Sequence, residues 1–406
     1  MRFFIIITIS FLTLNCNDNL TNKPGYTIPA EFEPQEFIWF SWKENGFLGG
    51  APFYTTIVNA IEAIHYRTRV KLLYGPQQGF NRQEMQKRIW NVLSDRKIDT
   101  SRIELFYNEK AFGAIQDPGP VFLKSMDGGL AVADFKYLHP DSRSEAIDRN
   151  VAREMNLPAI ASTMVSEGGA WQTNGRGTML AVRSVEFDRN KNMSQQQIED
   201  EYKRVLGVKK IIWLNEGLKE EEFGLLEDGK YGIGTGGHID EFCRFVNSTT
   251  VLLTEIPAED TINNKIMKSS YERMEEAFTI LSNSTTYEGE ALKIIRLPAG
   301  PIITRILPTK DLNKEERSWF DNLASDSVEF YLTTGYMNFV IANDVVVTSK
   351  YWKEGAPIQL KQLDEKAKTI LKSAFPSRKI VQIDCMPLHH DGAGLHCHSR
   401  NQPFAN

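Results

Sequence analysis

Cysteine is scarce in this chain: four occur in 406 residues, at positions 16, 243, 385 and 397. If Cys16 is set aside as part of the N-terminal leader, three remain. An odd number excludes a disulfide framework as the main staple and leaves at least one free thiol. An excess of basic charge is also missing. The formal net charge is -5 and the pI is about 5.9, which lacks the basic face that nucleic-acid binding requires. No nucleic-acid partner is therefore expected, and a cationic small substrate is weakly favoured. No apolar run is long enough to cross a ~30 Å hydrocarbon core as a helix. The chain is 41% hydrophobic and 24% charged, ordinary globular composition for two average domains or one large one.

What the N-terminus does carry is "MRFFIIITISFLTLNCNDN". One Arg precedes an apolar run from Phe3 to Leu14, which fits the core of a signal peptide. Cys16 directly after it resembles a bacterial lipoprotein cleavage site, although Asn15 is not the usual small residue. The expectation is a leader over residues 1–16 with Cys16 lipidated, then a polar tether over 17–27. Residues 28–406 then form one catalytic domain, since no linker or low-complexity segment follows. The protein would be exported and would meet a membrane only through the lipid anchor.

Within that domain, helical patterns repeatedly precede strand patterns. "YTTIVNAIEAIHYR" leads to "RVKLLYG", "SQQQIEDEYKRVLGV" to "KKIIWLN", and "LKQLDEKAKTILKSAF" to "KIVQIDCM". About six such units mark an α/β protein. Hairpin patterns with polar turns lie between them: "VFLKSMDGGLAVADF", "FCRFVNSTTVLLTEI" and "YMNFVIANDVVVTSKYW". A doubly wound parallel sheet would not interleave so many hairpins. Repeated strand-hairpin-helix modules imply small sheets set around an axis, because one module alone buries too little surface.

Four glycine-rich stretches hold reactive side chains: "AIQDPGPVF" with Asp117, "SEGGAW" with Glu167, "GTGGHIDEF" with His238 and Asp240, and "GAGLHCHS" with Cys397. Glycine permits close backbone approach and positive φ, which marks loop or strand-end positions. His238 and Asp240 are two apart, so an extended strand would send both to one face. Two carboxylates can grip a planar guanidinium and leave its central carbon open. A thiolate is a fitting nucleophile for that carbon, and the bound cation itself lowers the thiol pKa. A histidine oriented by a third carboxylate could protonate the departing ammonia and then activate water.

Seven segments in unbroken order, "IPAEFEPQEFIWFSW", "QDPGPVF", "EGGAWQTNGRGTMLAV", "LGVKKIIWLNEG", "GHIDEFCRFV", "YMNFVIAND" and "GAGLHCHSRNQP", resemble the agmatine deiminase family, which also holds the Porphyromonas-type peptidylarginine deiminases. The resemblance implies a five-bladed α/β propeller of pseudo-repeated modules. It implies hydrolysis of a terminal guanidine to a ureido group plus ammonia, with neither cofactor nor metal. Carried over by position, Cys397 would be the nucleophile and His238 the general acid/base. Glu167 would orient His238, and Asp117 and Asp240 would clamp the guanidinium. A covalent thiouronium on Cys397 would then be hydrolysed. Gln116 stands where the family commonly has Arg, and Gly236 where it often has Asp or Asn. Both flank the catalytic groups and bear on substrate fit.

Other features have plainer readings. Taken singly, Asp117 and Glu167 fit turn residues, and His238 fits an ordinary core histidine. Gly232, Gly234 and Gly237 make a formal G-x-G-x-x-G, but a strand-like run follows in place of a helix, so a flexible loop is expected there instead of a dinucleotide site. His389, His390, Asp391, His396 and His398 crowd near Cys397 and suggest zinc. On a strand, however, His396 and His398 would share one face and Cys397 the other, and His389 and His390 would sit in an exposed loop. Cys243 and Cys385 lie in apolar runs as small buried residues. Trp39 and Trp42 belong to the core, and Asn338 faces the site or ends a strand.

The substrate is agmatine, with an amine at its far end, or a peptidyl arginine, whose carboxylate would call for a cation such as Arg143 at the cleft mouth. Arg143 fits an exposed loop or helix-start residue better. Export favours the peptide, and family frequency favours agmatine. The reading from another class is a surface lipoprotein that uses the same cleft only to bind guanidino or peptide ligands. Retention of all five catalytic side-chain types speaks against it.

Overall fold

The computed structural model describes residues 25–46, 48, 52–77, 79–111, 113–138, 143–320 and 326–405. The expected leader, Cys16 and nearly all of the tether lie outside them. The chain is a mixed α/β fold, with six small sheets among the described residues. Five of these sheets repeat one pattern. A short strand pairs antiparallel with a central strand, and the central strand pairs parallel with a third reached through a helix.

The sheets Val121–Lys124, Leu130–Lys136 and Ala159–Val165 follow this rule, as do Trp171–Thr173, Thr178–Val182 and Lys210–Leu214. So do Cys243–Phe245, Thr250–Glu255 and Lys293–Pro298, and Val340–Ile341, Val345–Ser349 and Lys379–Ile383. The fifth is assembled from both ends of the chain. The last strand, Ser399–Pro403, pairs antiparallel with the first, Gln35–Ser41, which runs parallel to Arg69–Tyr74. The expected hairpins and helix-strand units are all present. A sixth sheet, built around Tyr231–Ile233 and Ser327–Tyr331, departs from the pattern.

Local sequence explains the crossover helices. Helix Gln195–Leu206 opens with a capping box between Ser194 and Gln197 and closes on Gly207 at φ 70. Its buried residues Ile198, Tyr202, Val205 and Leu206 recur at helical spacing. Helices Arg82–Asp95 and Lys265–Ser282 are capped by Asn81 and Asn264. Central strands are largely apolar because they are buried on both faces. Residues such as Leu180, Val182, Val346 and Val347 are fully buried. Trp39 and Trp42 are core residues, at 0% and 1% exposure. Among the described residues no helix is long and apolar enough to cross a membrane.

Candidate active site

In each of the five modules, the chemistry-bearing residue lies in the short segment that leads into the first strand. Asp117 precedes Val121–Lys124, Glu167 precedes Trp171–Thr173, and His238 and Asp240 precede Cys243–Phe245. Asn338 precedes Val340–Ile341, and Cys397 precedes Ser399–Pro403. Hydrogen bonds join these segments into a ring. Gly169 N donates to Asp117 Oδ1 at 2.9 Å, and Asp240 N donates to Gly169 O at 3.2 Å. Asn338 Nδ2 donates to Glu241 Oε1 at 2.7 Å, and His396 N donates to Asn338 Oδ1 at 2.6 Å. The ring closes where Ile115 N and Gln116 N donate to Cys397 O at 3.0 and 2.9 Å.

Gly169 marks the centre. A Cβ there would stand 2.5 Å from His238 Nδ1, 3.0 Å from Asp117 Oδ1 and 3.2 Å from Asp240 Oδ1. Three groups from two modules thus converge on one backbone position of a third, and that position tolerates no side chain. Asp240 Oδ1 is buried with no hydrogen-bond partner among the described residues. An unpaired buried carboxylate oxygen is costly unless a ligand satisfies it.

His238 is 2% exposed. Its Nε2 donates to Glu167 Oε2 at 3.0 Å, and its Nδ1 lies 3.6 Å from Asp117 Oδ1. Burial alone would lower its pKa. The charges of Asp117, Glu167 and Asp240, with the Glu167 hydrogen bond, overcome burial and raise it to about 9. Glu167 moves the other way. Burial would raise it, but the hydrogen bond and charge of His238 and the guanidinium of Arg189 hold it below the ordinary carboxylate range. Arg189 Nε donates to Glu167 Oε2 at 3.1 Å, and its Nη2 donates to Thr235 O at 3.0 Å. Asp117 is pushed up by burial, with His238 opposing and Glu167 and Asp240 reinforcing.

The Cys397 thiol lies 3.4 Å from both Asn338 Nδ2 and Gly394 N, and 3.8 Å from Glu241 Oε1. Burial raises its pKa well above the ordinary thiol value, and the charges of Asp240, Glu241 and Asp117 push the same way. The resting site therefore favours thiol over thiolate, and only an arriving cation would reverse that balance. Cys243 and Cys385, also free and buried, are raised chiefly by burial.

All five expected catalytic residues and Asn338 thus gather in one place. Arg143 opens a 3-10 turn, Arg143–Ala146, and its side chain lies outside the described residues. Several local expectations are corrected. His238 and Asp240 converge through a 3-10 turn, Ile239–Glu241, in place of an extended strand. Residues His396–His398 also form a 3-10 turn, so strand alternation does not decide their directions. His389 is buried at the end of helix Met386–His389, not exposed in a loop, because Ser349, Tyr351 and the Ala393 carbonyl surround its ring. Cys385 precedes that helix and lies outside any strand. The glycine stretch is not wholly a loop: Gly232 lies in the strand Tyr231–Ile233, where a Cβ would sit 1.9 Å from Glu222 O. Among the described residues no three His, Cys, Asp or Glu side chains are placed to hold a metal ion.

Sequence reasoning missed Glu241 and Arg189, and it turned His396 away. Glu241 adjoins Asp240 in the quoted motif, so a signal existed. Arg189 lies at the end of a helix with no local cue, and only the fold brings it to Glu167.

Residues 27–403 match the family described as Porphyromonas-type peptidyl-arginine deiminase. The agmatine deiminase of Medicago truncatula is 26% identical, over 95% of this chain and 99% of its own length. That of Pseudomonas syringae pv. tomato is also 26% identical, over 93% and 96%. A structure of the agmatine deiminase of Enterococcus faecalis superposes with a TM-score of 0.74 at 21% identity, covering 94% of this chain and 97% of that one, a likeness of fold. Because the family match runs from Thr27 through the last strand, the chain belongs to the Porphyromonas-type peptidyl-arginine deiminase family.

Proposed function

We propose that this protein hydrolyses the terminal guanidine of agmatine or of a peptidyl arginine to a ureido group and ammonia. Family membership makes it a C–N hydrolase acting on amidines. The observation that carries the substrate class is the convergence of Asp117 Oδ1, Asp240 Oδ1 and His238 Nδ1 about Gly169. Two carboxylates facing one point suit a planar cation with several N–H donors.

The steps follow from the charges. The guanidinium enters as the counter-ion of Asp117 and Asp240, and its charge offsets the three carboxylates that hold Cys397 protonated. As the cation binds, Cys397 gives its proton to solvent, and the thiolate attacks the central carbon. His238, protonated at neutral pH, gives its proton to the departing amine, and ammonia leaves. Neutral His238 then takes a proton from water, which attacks the thiouronium carbon and expels the thiolate. Asn338 and the Gly394 N–H steady the sulfur.

The five repeating modules are the blades of a closed propeller, supported by the hydrogen-bonded ring of entry segments. The leader routes the chain out of the cytoplasm, with lipid on Cys16; palmitate labelling lost in Cys16→Ala tests this. Colorimetric ureido detection with agmatine, free arginine and short peptides ending in Arg tests the activity. Product from at least one, abolished in Cys397→Ala, is expected. No product from any of them overturns the proposal.

A further inference from the structure

Of the buried histidines that this mechanism does not use, one touches the clamp. His396 is 1% exposed and sits between two carboxylates. Its Nδ1 lies 2.7 Å from Asp240 Oδ2, and its Nε2 lies 2.9 Å from Glu31 Oε1. We propose that His396, anchored by Glu31, is a positioning residue that sets the rotation of the clamp carboxylate Asp240. The inference rests on the guanidinium reading of the site.

The argument is one of donors and acceptors. A carboxylate oxygen accepts, so the ring nitrogen that meets Asp240 Oδ2 is placed to donate to it. His396 thereby occupies Oδ2 of Asp240 and leaves Oδ1 as the free oxygen. That oxygen is the one facing the Gly169 position beside Asp117 Oδ1. A carboxylate held at one oxygen cannot swing the other out of the clamp, so its geometry is preset before the ligand arrives.

Glu31 is the fixed end of the line. It also accepts from Arg244 Nη2. Arg244 is fully buried and donates to the carbonyls of Met337 and Phe339, with its guanidinium over the Phe339 ring. Burial would raise Glu31, but the charges of Arg244 and His396 hold it far below the ordinary carboxylate range. The backbone is fixed too, since His396 N donates to Asn338 Oδ1, the amide that also meets the Cys397 sulfur. The order is Arg244, Glu31, His396, Asp240, then substrate.

Two conservative variants separate positioning from mere structure. Asparagine at 396 keeps an N–H near the Nδ1 position and reaches Asp240. Glutamine places its amide near Nε2, toward Glu31, and leaves Asp240 Oδ2 without a donor. Calorimetric binding of agmatine, free arginine and a short peptide ending in Arg is measured in a Cys397→Ala background, with thermal melting of each protein. Steady-state turnover is measured in the wild-type background with whichever guanidine it hydrolyses. His396→Gln is expected to weaken binding and raise KM by roughly ten- to a hundredfold, the worth of a hydrogen bond to a charged group. His396→Asn should recover most of that loss at a similar melting temperature. Equal binding by His396→Gln and its parent, or equal losses in both variants that follow melting temperature, overturns the inference. Failure of the Cys397→Ala parent to bind any of the three overturns the clamp and this inference together. Normal turnover by wild type with an unchanged KM in His396→Gln overturns the positioning role alone.

Discussion

His238 and His389 are buried to the same degree, at 2% and 0% exposure, and desolvation pushes both toward the neutral ring. His238 nevertheless rises to about 9, whereas His389 falls to about 4. The difference lies in what each nitrogen meets. His238 faces the carboxylates of Glu167 and Asp117. His389 Nδ1 meets the Ala393 carbonyl at 3.2 Å, which takes one proton, and its Nε2 meets the hydroxyls of Ser349 and Tyr351 at 3.3 Å. A neutral imidazole satisfies that set, and the nearby His390 adds an unfavourable charge. His398 makes the same point, with Ser41 Oγ at 3.1 Å, Lys43 nearby and a pKa of about 3. Burial sets how much a partner matters; the partner sets the direction.

The largest expected effect uses the contrast directly. His238→Asn should cut turnover by roughly 10³-fold or more, as loss of a general acid/base does. His389→Gln should leave kcat and KM near wild type; a comparable loss of kcat there would break the comparison. Next comes the partner. Glu167→Gln removes a facing negative charge, so His238 loses its proton at lower pH. The falling limb of the kcat profile, set near pH 9 by His238, should move down, and kcat should fall by roughly 10–100-fold. A limb that stays in place would show that another group controls it.

Stability should carry the same signature with opposite slopes. His238 binds its proton more tightly when folded, so its contribution is present below pH 6.5 and lost as pH rises through about 9. His389 resists protonation when folded, so its contribution is present above pH 6.5 and lost as pH falls toward about 4. Urea melts across this range, for wild type and the two single variants, would show each slope vanish with its own histidine. The smallest effect is Ser349→Ala, which removes one neutral hydrogen bond to His389. It should cost about 1 kcal/mol and leave the kcat–pH profile unchanged.

Much of this protein was legible in its residues. Helix-then-strand units and polar hairpin turns are local patterns of 3.6 and 2 residues, and they match the modules now seen. The chemical inventory was legible as well: Cys397, His238 and three carboxylates in glycine-rich stretches are the groups that meet. The errors came where period-2 reasoning was carried beyond strand ends. Ile239–Glu241 and His396–His398 are 3-10 turns, so the directions of their side chains follow turn geometry and ring-closing hydrogen bonds. That is why His396 was turned away on paper, yet lies against Asp240.

The sequence by itself determined which residue types were available and how each short segment would fold, because caps, turns and apolar periodicity act over a few residues. Tertiary structure alone decided which histidine is charged, which thiol sits among carboxylates, and that Glu31 reaches His396 across 365 positions. Desolvation and Coulomb attraction depend on distance through space, and only folding brings the entry segments of five separate modules to one centre.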